Sequence, residues 1–256
     1  MTKGMQGLLF GRSLLLQSAW NFESMQGLGM AFCLEPWLER CWSGQNGAAR
    51  AARLRHHEYF NTQPYMASLV VGMVCALEEE AAAAAAGEPR DKVVERLHTL
   101  KTVAAAALAG VGDVLFWGAL RPLCAALAAV GALLLWGRPV WAVLWAALSY
   151  LAAHNVLALS LRWRFLRRGY EWRDGLASHL KSWPAQKLIR ALRLAALLLV
   201  IGAGAALLRA APAPQVLLGF SAVAAAWLLR EGGVSPYRLY AAAVLAGSAA
   251  AWAGWL

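Results

Sequence analysis

Polar residues interrupt the apolar runs of this chain at places where a plain membrane or core helix would not carry them. From residue 8 to residue 38, Leu8, Leu14, Leu15, Trp20, Phe22, Met25, Leu28 and Phe32 recur at helical spacing, interleaved with Arg12, Gln17, Asn21, Glu23 and Gln26. That pattern predicts amphipathic helix. Such helices lie flat on a membrane or pack around a partner or a site, and the pattern leaves both open. Glu35-Pro36 is an expected boundary, because the residue before a proline is biased away from helix. Residues 40–58 are polar and basic, with Arg50, Arg53, Arg55, His56 and His57, which suits water or anionic headgroups.

The next apolar run, Pro64 to Leu77, is about fourteen residues long, whereas roughly twenty are needed to cross a bilayer. It opens on Asn61-Thr62-Gln63-Pro64 and closes on Glu78-Glu79-Glu80. An alanine-rich helix end and a charged link follow, and the chain returns through Ala109-Gly110-Val111-Gly112-Asp113 towards Arg121. The two runs read as re-entrant or broken half-helices whose freed backbone lines a polar cavity. An interfacial hairpin whose polar residues cap helix ends fits the same residues. Beyond Pro122 an apolar stretch reaches Trp136, Gly137-Arg138-Pro139 forms a turn, and Val140 to Leu161 returns, which predicts a transmembrane hairpin. His154 and Asn155 in its second arm suit hydrogen bonds between helices. Further spans are expected at 188–209, 214–229 and 239–256. Three regions follow from these patterns: 1–58, amphipathic helices and a basic segment; 59–123, the half-helix region; and 124–256, transmembrane helices with a basic loop at 162–193.

Composition turns these patterns into a class. Apolar residues make up 60% of the chain and charged residues 15%, well away from soluble averages. The chain therefore reads as an all-α integral membrane protein, with amphipathic N-terminal helices, re-entrant or broken half-helices and about five transmembrane helices. Many of its 13 tryptophans stand near the ends of apolar stretches, as in an interfacial belt. The net charge of +10 does not point to nucleic acid, because the cations flank membrane segments. Residues 162–193 hold nine Lys/Arg against Glu171 and Asp174, which places that loop in the cytoplasm. The charged link near Arg90 then lies inside as well, and the turns at Arg138 and Arg209 lie outside. The N-terminal run is broken by Arg12 and Gln17, so no removable signal is expected.

Chemistry of the self-contained kind finds little support. Cys33, Cys41, Cys75 and Cys124 show no metal or disulfide spacing and read as unpaired packing thiols. His56-His57-Glu58 diverge around a helix, with no distant set to complete a metal site. Phosphate-loop, nucleophile-elbow and dinucleotide fingerprints are missing from the sequence. Neither a catalytic residue nor a cofactor is expected.

Several segments together carry a resemblance. RSLLLQSAWNFESMQGLGMAF, FNTQPYMASLVVGMVCALEE and LAGVGDVLFWGALRP, and more weakly RRGYEWRDGL and GVSPYRLY, resemble the IID component of the mannose/fructose/sorbose family of the bacterial phosphotransferase system, in the family's order and over nearly the whole chain. The resemblance implies a multi-pass subunit of the bacterial plasma membrane that pairs with a IIC subunit to translocate sugar. It also implies phosphorylation of that sugar by the soluble IIB component, charged through IIA, HPr and phosphoenolpyruvate, with no phosphorylated residue in this chain. Two departures stand out. The hydrophilic outer segment between the last helices shrinks to about Arg209 to Gln215, and the stretch before AGVGD is alanine-rich (Val103 to Leu108) where the family usually has a Met-Gly-Pro-Leu type sequence. Altered outer partners and altered hinge geometry would follow.

A confined pocket for a neutral, hydroxyl-rich ligand calls for planar amides and carboxylates. Asn21, Glu23, Asn61, Gln63 and Asp113 supply them, and Arg121 is expected to pair with Asp113 or Glu23 in the absence of sugar. For each of these residues a helix cap or an interhelical bond is the competing role. The competing function is a structural or regulatory paralogue that binds IIC without transporting.

Overall fold

The computed structural model describes residues 1–135, 137–210, 229 and 233–252. Among them the chain is helical, with only isolated bridges, Asn21 to Met25 and Met25 to Phe60, in place of strands. It divides into two units, Met1–Val200 and Ile201–Leu256.

In the first unit the helices are α1 (Lys3–Ser13), α2 (Gly27–Cys41), α3 (Asn46–Leu54), α4 (Ala67–Ala83), α5 (Glu88–Gly112), a π-type segment (Asp113–Leu120), α6 (Arg121–Leu134), α7 (Pro139–Trp172), α8 (Leu176–Ser182) and the start of α9 (Ala185–Ala210). The second unit holds the end of α9 and α10 (Pro236–Trp252). On α10, Tyr237, Tyr240 and Leu245 are exposed.

The core is organised around α4. Its sequence ASLVVGMVCAL is apolar on every face, so the helix up to Leu77 has no side to give to water, and every residue from Ala67 to Glu78 is buried. α7, α5 and α2 pack against it. α7 supplies a stripe of His154, Ala158, Arg162, Phe165, Leu166 and Gly169, which is the helical repeat of a single face. The two axes approach at a pair of glycines. A Cβ on Gly72 would lie 2.0 Å from the Leu166 carbonyl oxygen, and one on Gly169 would lie 2.0 Å from that of Leu69. Only small residues allow backbones so close.

The hairpin expected from Pro122 to Leu161 is present, with α6 and α7 packed side by side and Pro139 opening α7. Trp145 fills the notch at Gly131, where a Cβ would meet its Nε1 at 1.6 Å. Among the described residues three helical runs are long and apolar enough to cross a membrane: Glu88–Leu134, Pro139–Ser182 and Ala185–Ala206. Of the further expected spans, 214–229 lies almost wholly outside the described residues, and 239–256 corresponds to α10, of 17 residues. The shortened segment from Arg209 to Gln215 also falls mostly outside them.

Three expectations need correction. Glu35-Pro36 does not end a helix: Pro36 sits inside α2. Its missing N–H leaves the Phe32 carbonyl free, and Arg12 Nε donates to that oxygen at 2.9 Å while its guanidinium stacks 3.9 Å over the Phe32 ring. At AGVGD the chain does not break either. α5 passes through Val103 to Leu108 into the π-type segment and on into α6, so the interruption takes the form of a widened helix, as is frequent at functional sites. Finally, the basic stretch from Arg162 is not a loop. α7 continues to Trp172, followed by a 3-10 turn, α8 and α9, because Arg162 and Phe165 to Leu166 still face the core.

Candidate functional site

Two loops, residues 14–26 and 55–66, are stitched together beside α5. Asn21 Oδ1 accepts from the backbone N–H of Glu23 (3.0 Å) and Ser24 (2.8 Å), and its Nδ2 donates to Ser24 Oγ at 3.0 Å; this closes an Asx turn. Met25 sits in the left-handed region (φ 53) and bridges to Phe60. Gln26 Nε2 donates to the Thr62 carbonyl at 2.8 Å, and the Thr62 N–H donates back to Gln26 Oε1 at 3.1 Å. Thr62 Oγ1 then donates to the Ala105 carbonyl of α5 at 2.8 Å. The buried amide and hydroxyl thus lock both loops to a membrane-length helix.

Gln63 continues the same construction. Its Oε1 accepts from the Tyr65 N–H (2.7 Å) and the Met66 N–H (3.2 Å), satisfying donors at the start of α4. Its methylenes occupy the space left by Gly112, where a Cβ would stand 2.5 Å from Gln63 Cβ. Gln63 Nε2 is buried without a partner among the described residues.

The six residues singled out in the sequence therefore separate. Asn21 and Gln63 build turns and caps. Glu23 and Asn61 are exposed on the joined loops, and Asn61 lines a cavity of about 290 Å³ with Tyr59, Lys101 and Ala105. Asp113, next to Gly112, and Arg121, about two turns further along, are exposed on the long helical run. The pairing expected of Arg121 with Asp113 or Glu23 is not among the ion pairs of the described residues. Its guanidinium lies instead 3.5 Å over the Trp117 ring, a cation–π contact. Nearby, Arg193 Nε of α9 donates to the Gly118 carbonyl in the π-type segment at 3.1 Å.

Sequence reasoning missed the anchor behind this surface. Arg162 donates to the Pro64 carbonyl and lies 5.4 Å over the Tyr65 ring, while Tyr65 Oη and His154 Nε2 are 3.0 Å apart. The signal was the spacing of His154, Ala158 and Arg162, one face of one helix. Asn155, paired with His154 in the sequence reading, only donates to Leu151 of its own helix at 2.9 Å.

A second polar centre lies at the far end of α4. Glu78, fully buried, accepts from Trp42 Nε1 (2.8 Å), Arg55 Nε (2.7 Å) and Arg55 Nη2 (3.0 Å), with His56 Nε2 at 2.8 Å. Burial pushes the Glu78 carboxyl up, but hydrogen bonds from His56 and Arg55, with the Arg55 charge, overcome it and hold the group at about 2. Burial pushes the His56 imidazole below its ordinary value despite that carboxylate. Glu58 faces away, towards His98 and Lys101. No three of His, Cys, Asp and Glu gather as metal ligands among the described residues.

A body of this kind, all helical, with membrane-length runs that carry charge on their outer faces, is an integral membrane subunit. The chain belongs to the IID components of the mannose/fructose/sorbose family of phosphotransferase (PTS) systems, whose family match covers residues 1–208. Among curated relatives, the "PTS system mannose-specific EIID component" of Escherichia coli (strain K12) is 43% identical over 117 residues, 46% of this chain and 40% of that protein. The "PTS system sorbose-specific EIID component" of Lacticaseibacillus casei is 34% identical over 190 residues, 73% of this chain and 62% of that protein. The matched span is thus well under two thirds of the E. coli protein and just under two thirds of the L. casei one. Two solved structures share the architecture. One, described as "Structure of membrane protein", has a TM-score of 0.72 at 27% identity and covers 99% of this chain and 97% of its own. The other, a "CryoEM Structure of Mannose Transporter ManYZ and Microcin E492 (MceA) complex", has a TM-score of 0.57 at 26% identity, with coverage of 99% and 97%.

Proposed function

We propose that this chain forms, with a IIC-type membrane subunit, the pathway by which a hexose-type sugar crosses the bacterial plasma membrane, phosphorylated on entry by a IIB component charged through IIA. The observation that carries this reading is the exposure of Asp113 and Arg121 on a membrane-length helix. An ionisable group in a membrane segment is costly unless it faces a protein or a water-filled cavity, so a second subunit belongs against this face. A related structure described as the ManYZ mannose transporter complex supports the same pairing.

Glu23 and Asn61 on the locked loops, with Asp113 and Arg121 on the helix, are this chain's contribution to the sugar path. Carboxylates and amides match the donor and acceptor hydroxyls of a sugar. Asn21, Gln63, Thr62 and Arg162 position those groups from behind. The chain is multi-pass, with the basic region 162–193 at the cytoplasmic surface.

The test is uptake of radiolabelled hexoses and amino sugars by phosphotransferase-deficient cells carrying the neighbouring IIA, IIB and IIC genes, with and without this chain. Intracellular sugar phosphate that disappears when this chain is omitted is the expected result. Assembly with IIC but no accumulation of any sugar would refute the transport role.

A further inference from the structure

The junction of α1 and α7 carries a feature that sugar transport does not use. A cleft of about 250 Å³ lies between the two helices, lined by Lys3 and Gln6 of α1 and by Trp163, Arg164, Arg167 and Arg168 of α7, with Glu171 at its edge. Arg167 is held by Glu171 at 2.7 Å. Lys3, Arg164 and Arg168 have no carboxylate partner among the described residues, so the cleft concentrates positive charge.

The walls are fixed. Gln6, buried, donates Nε2 to the Trp163 carbonyl at 3.0 Å, and the Trp163 ring meets Phe10 edge-on at 5.3 Å. Below the cations the character of α7 changes along one stripe. Arg167, Trp163, Leu159 and Val156 follow each other at helical spacing, and the last three are exposed at 39%, 37% and 71%. From Arg167 to Val156 the helix rises about 16 Å, close to half of the roughly 30 Å hydrocarbon core. A cation cluster, then an interfacial tryptophan, then one leaflet's depth of apolar helix is the profile of a phospholipid.

We propose that this cleft binds an anionic diacyl phospholipid, with the headgroup phosphate among Lys3, Arg164 and Arg168 and an acyl chain along Trp163, Leu159 and Val156. Free phosphate or an acidic protein would use the cations and leave the stripe bare. The basic region around the cleft belongs to the cytoplasmic side by its excess of Lys and Arg, the leaflet whose anionic lipids attract such clusters.

The experiment is native mass spectrometry of the full chain, purified in neutral detergent with its co-expressed membrane partner, titrated with dioleoyl phosphatidylglycerol or dioleoyl phosphatidylcholine. Phosphatidylglycerol binds at least tenfold more tightly to the unaltered chain, and Arg164→Gln/Arg168→Gln removes about tenfold of that affinity. Lys187→Gln/Arg190→Gln, which removes the same charge from exposed positions outside the cleft, changes it less than twofold. Equal losses in the two double variants would reduce the effect to general surface charge and overturn the site. Equal affinity for the two lipids would also overturn it, as would displacement of the lipid by an equal concentration of glycerol 3-phosphate. All four substitutions are at exposed positions, and a matching unfolding midpoint confirms that each variant is folded.

Discussion

Glu78 and Asp113 are both carboxylates set among apolar residues, and the chain treats them in opposite ways. Glu78 is sealed, with Trp42, Arg55 and His56 occupying its two oxygens. Asp113 is open, at the start of a widened helix with no ion pair among the described residues. Charge enclosed and saturated by its own chain holds the chain together. Charge left open on a membrane-length helix is available to something else, so the two carboxylates should fail in different assays.

The largest effect is expected at Glu78→Ala. Removing it strands Arg55 and His56 beside a void, and breaking a buried pair costs about 3–5 kcal/mol. The unfolding midpoint in detergent should fall steeply, and an unchanged midpoint would refute the structural role of the cluster. Gly72→Ala comes next, because the added methyl meets the Leu166 carbonyl; overpacking of this kind costs about 1–3 kcal/mol, and a compensating Leu166 side-chain change should not restore it, since the clash is with backbone.

Acid should reveal the same cluster in stages. His56 is held below its ordinary value of 6.5, so the folded state keeps it neutral while the unfolded chain takes up a proton. Its contribution is full above about pH 6.5 and is lost as the pH falls below that value. Glu78, held at about 2 against an ordinary 4.5, adds stability that is complete above pH 4.5 and drains as the pH falls towards 2. Melting curves from pH 8 to pH 3.5 should therefore decline twice, and His56→Gln should erase the first decline and shrink the second, because the His56 hydrogen bond is one of the contacts that hold the Glu78 carboxyl down. The smallest stability effect belongs to Asp113→Asn, within about 0.5 kcal/mol for an exposed position. That variant should assemble and melt like the parent yet lose most uptake, and wild-type uptake would remove Asp113 from the proposed path.

What the sequence made legible follows the range of the interactions. The α6–α7 hairpin depends on local apolar runs and a Gly-Arg-Pro turn, and it stands in the structure where the pattern put it. The helix through Pro36 depends on Arg12, more than twenty residues away, taking the carbonyl that proline leaves free, and no local pattern carries that. The helix beyond Arg162 was hidden for a related reason. A cation after a long apolar run reads as an exit from the membrane, but this one turns inward to Pro64 and Tyr65. At the candidate site the residue types were legible and their division of labour was not. Asn21 and Gln63 carry the same amide as Asn61, and only the loop geometry separates the two that close turns from the one that faces outward.

Burial of α4 from Ala67 to Glu78 also has a consequence for synthesis. Gly72 makes its closest approach to the Leu166 carbonyl of α7, and Leu166 leaves the ribosome roughly a hundred residues later, about 5–20 s at ordinary elongation rates. During that interval a nascent helix with no polar face, too short to anchor itself across the bilayer, has none of the α7 surface that will enclose it. Newly made chains should therefore be most exposed to membrane proteases and most dependent on insertion chaperones until α7 emerges.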